Sequence, residues 1–241
     1  MAHEEREHAL HSFSNAYRWL HCYGQSRLVK AVPELNRRLR SKAAESGTLK
    51  HEAAESLLNS GSRDFSVLPL DMREDVPVYI EAVDTVLSLA PDVIARYEQR
   101  FEYPQTVVPG RDCAGILDTV AYSAMLRAGW VIDFKSGVVP VPAEDNEQLW
   151  CAAVAAFHDV PVDTITLTIV QPNAFAGESE KSQVIRAFEI PDHIERVEAA
   201  LRIASQPDAP LVPGDHCYNC PAEPVCLARE ELALREIVHA L

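Results

Sequence analysis

The sequence predicts an α/β fold in which helices flank a mixed central sheet. Apolar residues at helical spacing dominate the first hundred positions, strand-like and helical stretches alternate from 101 to 204, and a segment rich in Pro and Cys follows. This order is typical of one domain with a sheet between layers of helices. We therefore treat residues 1–241 as a single domain with a mainly helical part (1–100), a core (101–204) and a Cys-rich C-terminal segment (205–241).

The spacing of apolar residues also predicts the individual elements. Helices are expected at about 12–22, at 42–58, at 76–101 with a break near Pro91, at 143–158 and at 192–204. Strands are expected at 113–122, 130–135, 162–170 and 183–190. Residues 123–129 are expected to join the first two strands as a hairpin.

Composition limits the class of protein. Hydrophobic residues make up 47% and charged residues 24%, as in ordinary globular proteins, and no run approaches the roughly 18 apolar residues of a membrane span. The N-terminus carries acidic and histidine residues and lacks an apolar signal sequence, so we expect a cytoplasmic protein. Because thiols stay reduced there, the six cysteines are expected to bind metal or to be buried.

A basic stretch interrupts an otherwise acidic chain. The net charge is −14, but the segment from Arg27 to Lys50 has seven basic and two acidic residues, so it carries +5 and the remainder carries −19. Such a face can guide a polyanion, or it can be the solvated side of a helix. If it binds DNA phosphates, the candidates are Arg37, Arg38, Arg40, Lys42 and Lys50.

Two acids and a lysine on neighbouring strands are the first candidates for chemistry. Side chains alternate along a strand, so Asp133 and Lys135 share a face, and a hairpin would bring Asp118 next to Asp133. Two carboxylates form a hard oxygen site for Mg²⁺ or Mn²⁺, which would polarise a phosphodiester. Lys135 could then orient the attacking water or neutralise charge on the phosphate. An ordinary ion pair explains the same residues without chemistry.

The residues around this candidate form a longer pattern. A glycine precedes His51 by four positions, another glycine precedes Asp118 by three, and Gln148 lies in the helix that follows the D-x-K strand. The motifs G-x-x-x-H, G-x-x-D, D-x-K and Q-L, in this order, resemble those of the RecB-like nucleases of the PD-(D/E)XK superfamily. The resemblance covers nearly the whole chain.

The resemblance implies a metal-dependent deoxyribonuclease with a PD-(D/E)XK core. Its metal ligands would be His51, Asp118, Asp133 and the carbonyl oxygen of Phe134. Lys135 would be the catalytic lysine, with Gln148 assisting it. The family usually has a tyrosine four positions after the glutamine, where this chain has Ala152, so the last motif is only partly kept.

Three cysteines near the C-terminus form a second candidate site. They are spaced as C-x2-C-x5-C, and an N-terminal cysteine after a Trp-bearing helix can complete a set of four: Cys22, Cys217, Cys220 and Cys226. The set resembles the iron–sulfur staple of RecB-like nucleases, which implies a [4Fe-4S] cluster, whereas a structural Zn²⁺ site uses the same four thiolates. Cys113 and Cys151 lie in apolar stretches and are expected to be plain buried residues.

Several longer stretches resemble a branch of the family that bacteriophages and prophages encode; they are residues 14–19, 141–149, 169–172 and 214–217. This resemblance implies an exonuclease that processes DNA ends during phage recombination or replication in the cytoplasm of the bacterial host. A phage recombinase or a single-strand-binding protein is the kind of partner it suggests. A non-catalytic DNA-binding or assembly subunit that retains the nuclease fold is the alternative.

Overall fold

A mixed β-sheet forms the centre of the molecule. The computed structural model describes residues 9–33, 35, 42–104 and 112–240, and the structural statements below concern those residues. The strands are β1 (His11–Ser12), β2 (Ile94–Glu102), β3 (Cys113–Ser123), β4 (Ala128–Phe134), β5 (Thr164–Val170) and β6 (Glu180–Arg186).

Antiparallel and parallel pairings alternate across the sheet. β3 pairs antiparallel with β2 and with β4, and β5 pairs antiparallel with β6. β4 and β5 run parallel with Phe134 level with Val170, and β1 adds a short parallel pair at the start of β3. Because β4 and β5 are parallel, their carboxyl ends lie at the same edge of the sheet, and a long crossover must join them.

Helices cover both faces of the sheet. They are α1 (Ala16–Trp19), α2 (Gln25–Ala31), α3 (Lys42–Ser60), α4 (Val76–Leu87), α5 (Glu147–Phe157), α6 (Ile190–Ala204) and α7 (Leu227–Ala240). In one buried cluster, Ile80 of α4 packs with Phe134 of β4. In another, Trp19 and Leu149 pack with Ile165 of β5. None of the helices in the described part of the chain is both long and apolar enough to cross a membrane.

The crossover helix α5 starts at a well-formed cap. The Asn146 carboxamide oxygen accepts a hydrogen bond from the Leu149 amide at 3.2 Å, which satisfies one of the amides at the helix start. Further along, the Phe157 ring lies against β4 so closely that a Cβ at Gly129 would come within 2.5 Å of it. The cap defines the start of α5, and the Phe157 packing holds its last turn against the start of β4.

The predicted α/β fold with a mixed central sheet and flanking helices is confirmed. One predicted helix is wrong in its second half, because the helix expected over 76–101 ends at Leu87 and β2 follows. Tyr97 and Phe101, four positions apart, suit a helical stripe, but eight residues of β2 pair with β3. This long-range ladder decides the conformation, as tertiary context often does for strands.

Two terminal segments also differ from expectation. The helix expected over 12–22 is a 3₁₀ turn at Phe13–Asn15 followed by the single turn of α1. The segment 205–241, expected only to be Cys-rich, also contains α7. The expectation for residues 42–58 matches α3 to within two residues at its C-terminal end.

Candidate metal centre

Three acidic residues lie level with one another on neighbouring strands. The β2–β3 register on either side of Glu98 places it opposite Asp118. The β3–β4 register, in which Thr119 pairs with Ile132, places Asp118 opposite Asp133. Directly opposite residues of antiparallel strands have Cβ atoms about 5 Å apart. The sheet therefore aligns three carboxyl groups across β2, β3 and β4.

Glu98 has an unusual backbone. Its φ of 47° lies in the left-handed region, and the regular β2–β3 register is interrupted at this position. Such a conformation costs a non-glycine residue about 1–3 kcal/mol and persists where the surroundings hold it in place. The side chain is buried, and its Oε1 lies 3.0 Å from Nδ1 of His51. The backbone strain thus coincides with a contact between an acid and a histidine. Sequence reasoning missed Glu98.

His51 approaches the acids from α3. Its Nδ1 lies 3.0 Å from Oε1 of Glu98 and 3.4 Å from Oδ1 of Asp118. Gly47, one turn earlier on α3, faces the residue that follows Lys135. A Cβ at Gly47 would lie 2.9 Å from the Ser136 hydroxyl oxygen, closer than such atoms normally approach. The glycine of the G-x-x-x-H motif therefore lets α3 come near enough for His51 to reach the carboxylates.

Lys135 extends from the end of β4 into the same group. Its Nζ lies 2.9 Å from Oδ2 of Asp133 and donates a hydrogen bond to Oε1 of Gln148 at 3.0 Å. The Gln148 amide group donates to Oδ1 of Asp133, and Oδ2 of Asp118 accepts from the Phe134 backbone amide at 2.6 Å. Oδ2 of Asp133 is buried and, despite the nearby ammonium group, accepts no well-directed hydrogen bond.

The structure brings the residues predicted for this site into one place. They are His51, Asp118, Asp133, Phe134, Lys135 and Gln148, and Glu98 joins them. The Phe134 ring stacks on Tyr79, with ring centroids 4.8 Å apart, and lies 5.3 Å from the His51 ring. Ala152, at the position where the resembling family has tyrosine, is buried in the core and adds no polar group.

Burial and mutual charge set the electrostatics of the group. Burial raises the pKa of Asp133 to about 6, although the ammonium of Lys135 acts against the shift. Burial also opposes ionisation of Asp118, but His51 and Lys135 outweigh it and lower the pKa of that carboxyl. Burial would lower the pKa of His51, yet the Asp118 and Glu98 carboxylates raise it well above its usual value. The carboxyl groups and the two basic side chains therefore form one charge cluster in which the ionisation of each group depends on its neighbours.

The donor atoms fit a divalent ion. Within the described residues, His51, Glu98 and Asp118 form the one group of three or more metal-binding side chains whose ligand atoms all lie within 4.8 Å of one another. Neighbouring ligands of an octahedral ion with bonds of about 2.1 Å lie roughly 3 Å apart, close to the observed 3.0 and 3.4 Å separations. A protonated imidazole held between two acids gives similar distances, and Mn²⁺ binding distinguishes the two arrangements.

The structure corrects the prediction that Lys50 binds DNA phosphates. Its side chain is only 10% exposed, and its ammonium group pairs with the buried carboxylate of Asp75 at the start of α4. Asn173 donates a second hydrogen bond to the same Asp75 oxygen at 2.6 Å. Lys50 precedes His51 on the inner side of α3, where a charge is stable only when it is paired. The residue holds the interior together and does not form part of a basic surface.

The remaining basic candidates are Arg37, Arg38, Arg40 and Lys42. Arg37, Arg38 and Arg40 lie outside the described residues. Lys42 begins α3, and its side chain is likewise outside the described part of the chain. A role of this segment in binding phosphates stays a prediction.

The four cysteines predicted to form a second site line a single cavity. Cys22, Cys217, Cys220 and Cys226 all contribute to its wall. Backbone amides point at two of the sulfurs: Val212 donates to Cys22 and Gly214 donates to Cys217, each over 3.4 Å. Amide donors of this kind stabilise thiolate ligands. Cys113 and Cys151 are buried in the core, apart from this cavity.

A short polar chain connects the cysteine cavity to α5. Oε1 of Glu147 lies 2.7 Å from Nε2 of His21 and accepts from Arg196 at 2.9 Å. The His21 ring stacks on His216, and these two histidines directly precede two of the cysteines. Glu147 in turn directly precedes Gln148. The first turn of α5 therefore contacts both sites.

Comparison with known proteins gives a family and a fold. A family model described as "Protein of unknown function (DUF2800)" matches residues 8–240. The chain belongs to this family. Among solved structures, one described as "Crystal structure of SSO0001" is similar over 93% of this chain and 89% of that chain, with a TM-score of 0.50 and 13% sequence identity. At this identity the likeness concerns the fold alone.

The buried role of Lys50 predicts a large stability effect. Replacing it in Lys50→Met leaves Asp75 buried and uncompensated, so the free energy of unfolding should fall by about 3–5 kcal/mol in urea titrations. Lys30→Met, on the exposed side of α2, is the matched control and should unfold as the wild type does. If Lys50→Met is as stable as the wild type but binds DNA more weakly, Lys50 binds phosphates after all.

The involvement of Glu98 in metal binding is also testable. Glu98→Gln keeps the shape but removes the charge, so Mn²⁺ affinity measured by calorimetry should fall on the order of 10- to 100-fold. Glu102→Gln alters an exposed acid on the same strand and should leave the affinity unchanged. If the wild type binds no Mn²⁺, the three residues form only an ionic network around a protonated histidine.

Proposed function

We propose that this protein is a divalent-metal-dependent deoxyribonuclease of the RecB-like type. The observation that carries the proposal is that a histidine and a lysine both contact a row of three largely buried carboxylates. His51, Glu98 and Asp118, whose ligand atoms lie together, would hold Mg²⁺ or Mn²⁺, with Asp133 on the next strand as a further ligand, and the imidazole favours Mn²⁺. Such an ion supplies Lewis-acid activation of a phosphodiester and lowers the pKa of a bound water.

The chain's own groups would orient and stabilise the reacting phosphate. Lys135 is held between Asp133 and Gln148, so its ammonium group has a fixed position next to the acids. A fixed positive charge stabilises the charge that develops on a phosphate in the transition state. Gln148 donates to Asp133 and accepts from Lys135, and it thereby keeps both partners in place.

The finer assignment rests on the resemblance of sequence motifs. On that basis we propose an exonuclease that acts on DNA ends in phage recombination or replication. The net charge of −14 favours the second candidate, a non-catalytic DNA-binding or assembly subunit that retains the fold. The complete set of His51, Glu98, Asp118, Asp133 and Lys135 speaks against it, because charged groups that are at most 28% exposed are costly to bring together without a use.

We further propose that the four thiols hold a [4Fe-4S] cluster. Tetrahedral zinc with bonds of about 2.3 Å would bring four sulfurs roughly 3.8 Å apart. A [4Fe-4S] cluster is held by the same kind of thiolates, and the resemblance of the cysteine spacing to the iron–sulfur staple supports the cluster over zinc. Bound at this cavity, a cluster would tie Cys22 near the beginning of the fold to a segment almost two hundred residues later.

The catalytic role of Lys135 gives the decisive test. Lys135→Ala should cut end-labelled linear DNA roughly 10²- to 10³-fold more slowly than the wild type in Mn²⁺, since it loses the fixed charge. DNA affinity should change little and circular dichroism should show a folded protein, with a lower midpoint of thermal unfolding because Asp133 loses its ion pair. Arg127→Ala, which breaks an exposed ion pair with Asp163 at the opposite edge of the sheet, is the control and should cut normally. Cleavage by Lys135→Ala at the wild-type rate would contradict the assignment.

The cysteine site makes a separate prediction about cofactor content. Protein purified without oxygen should be brown and contain iron and acid-labile sulfide, and Cys22→Ser should lose both together with much of its stability. Cys151→Ala, which alters a buried thiol outside the cavity, should keep the iron. A colourless wild-type protein with stoichiometric zinc would reject the cluster, although the four cysteines would remain a metal site.

A further inference from the structure

Two loops lie at the edge of the sheet where Lys135 emerges. Since β4 and β5 are parallel, residues 136–142 after β4 and residues 171–179 after β5 begin at the same edge. Val138 follows Lys135 by three positions, so it lies at most about 11 Å along the chain from the proposed catalytic lysine. Whatever binds on these loops is therefore close to the proposed metal centre.

The loops present apolar side chains to solvent. Phe175 is 74% exposed, and Val138 and Val139 are 60% and 59% exposed. The Phe175 amide donates to the Val138 carbonyl oxygen at 2.9 Å, which joins the two loops at this point. We call these three residues the apolar rim. A single exposed apolar residue is ordinary, but three that are joined beside a polar site indicate a binding surface.

Hydrogen bonds from the Gln171 side chain hold the first loop in place. This side chain is almost completely buried, and its amide group donates to the carbonyl oxygens of Gly137 at 2.8 Å and Val139 at 2.7 Å. Its Oε1 accepts from the Val141 amide at 2.8 Å. Three hydrogen bonds from one buried side chain fix the loop, so the exposure of the valines is built into the structure.

The second loop is tied to the helix that carries His51. Asn173, two residues before Phe175, donates to Asp75, and Asp75 is paired with Lys50. Lys50 is the neighbour of His51 on α3. The position of Phe175 is therefore fixed relative to the proposed metal ligands, which gives the buried Lys50 a part in placing a surface that it does not reach.

We propose that the apolar rim stacks against an unpaired base of the DNA strand whose phosphate lies at the metal centre, so that this enzyme prefers single-stranded or frayed ends. The inference rests on the proposed function. Every base has an apolar face, and a base stacked on an aromatic side chain gains roughly 5- to 150-fold in affinity without sequence preference. A stable protein–protein interface buries about 800 Å² and 20–30 residues on each side, far more than three side chains offer.

The test uses Lys135→Ala as a background that binds but does not cut. Adding Phe175→Ala should weaken the affinity for fluorescently labelled oligo(dT) at least fivefold in an anisotropy titration, with less than a twofold change for a blunt hairpin duplex. Phe188→Ala is the matched control, because Phe188 is 78% exposed but follows β6 near Asp163 at the opposite edge of the sheet. It should change neither affinity.

A second measurement reports stacking directly. Tryptophan emission of Phe175→Trp should be quenched when oligo(dT) binds, and emission of Phe188→Trp should not be. The inference is overturned if adding Phe175→Ala to the Lys135→Ala variant leaves the affinity for oligo(dT) unchanged. If Phe175→Ala weakens binding of oligo(dT) and of the duplex equally, the inference is also overturned. It is overturned as well if Phe175→Ala binds DNA normally but no longer forms an oligomer in sedimentation, because the apolar rim would then be a protein interface. If the wild-type protein neither binds nor cuts DNA, the proposed function is wrong as well. If Phe175→Ala cuts and binds DNA normally, only this inference is wrong.

Discussion

A buried carboxylate is stable only when a positive charge, a metal ion or hydrogen bonds compensate it, and this sheet aligns three of them. The surrounding structure supplies basic groups that compensate the carboxylates. α3 brings His51 to the first two acids, and β4 continues into Lys135, which approaches the third. Features that look unrelated, such as the glycine on α3 that meets Ser136, serve the same purpose, because each lets a compensating group come close.

The two candidate sites are also joined structurally. The first turn of α5 contains both Glu147, which contacts the histidine next to Cys22, and Gln148, which contacts the acids. A helix start is a sensitive place for such a link, because its cap and its first side chains are fixed together. The segment that carries the C-terminal cysteines is therefore a neighbour of the candidate metal centre, although some seventy residues separate them in sequence.

Sequence reasoning reached the parts of the site that local rules determine. Asp118, Asp133 and Lys135 follow from strand alternation and a short hairpin, and motif spacing added His51. Glu98 was missed because only pairing with β3 makes its segment a strand; Pro91 and the strand-forming residues after it were the available signal. Lys50 was misjudged because charge counting along a helix does not reveal which face the core covers.

The left-handed backbone of Glu98 sets stability against the site. Glycine would relieve the local strain of about 1–3 kcal/mol, and it would also delete the carboxylate that meets His51. Selection for stability alone would therefore replace glutamate at this position. Related chains that keep a glutamate at this position would be those in which the cluster still functions. A glycine at this position would identify a relative that has lost the site and gained stability.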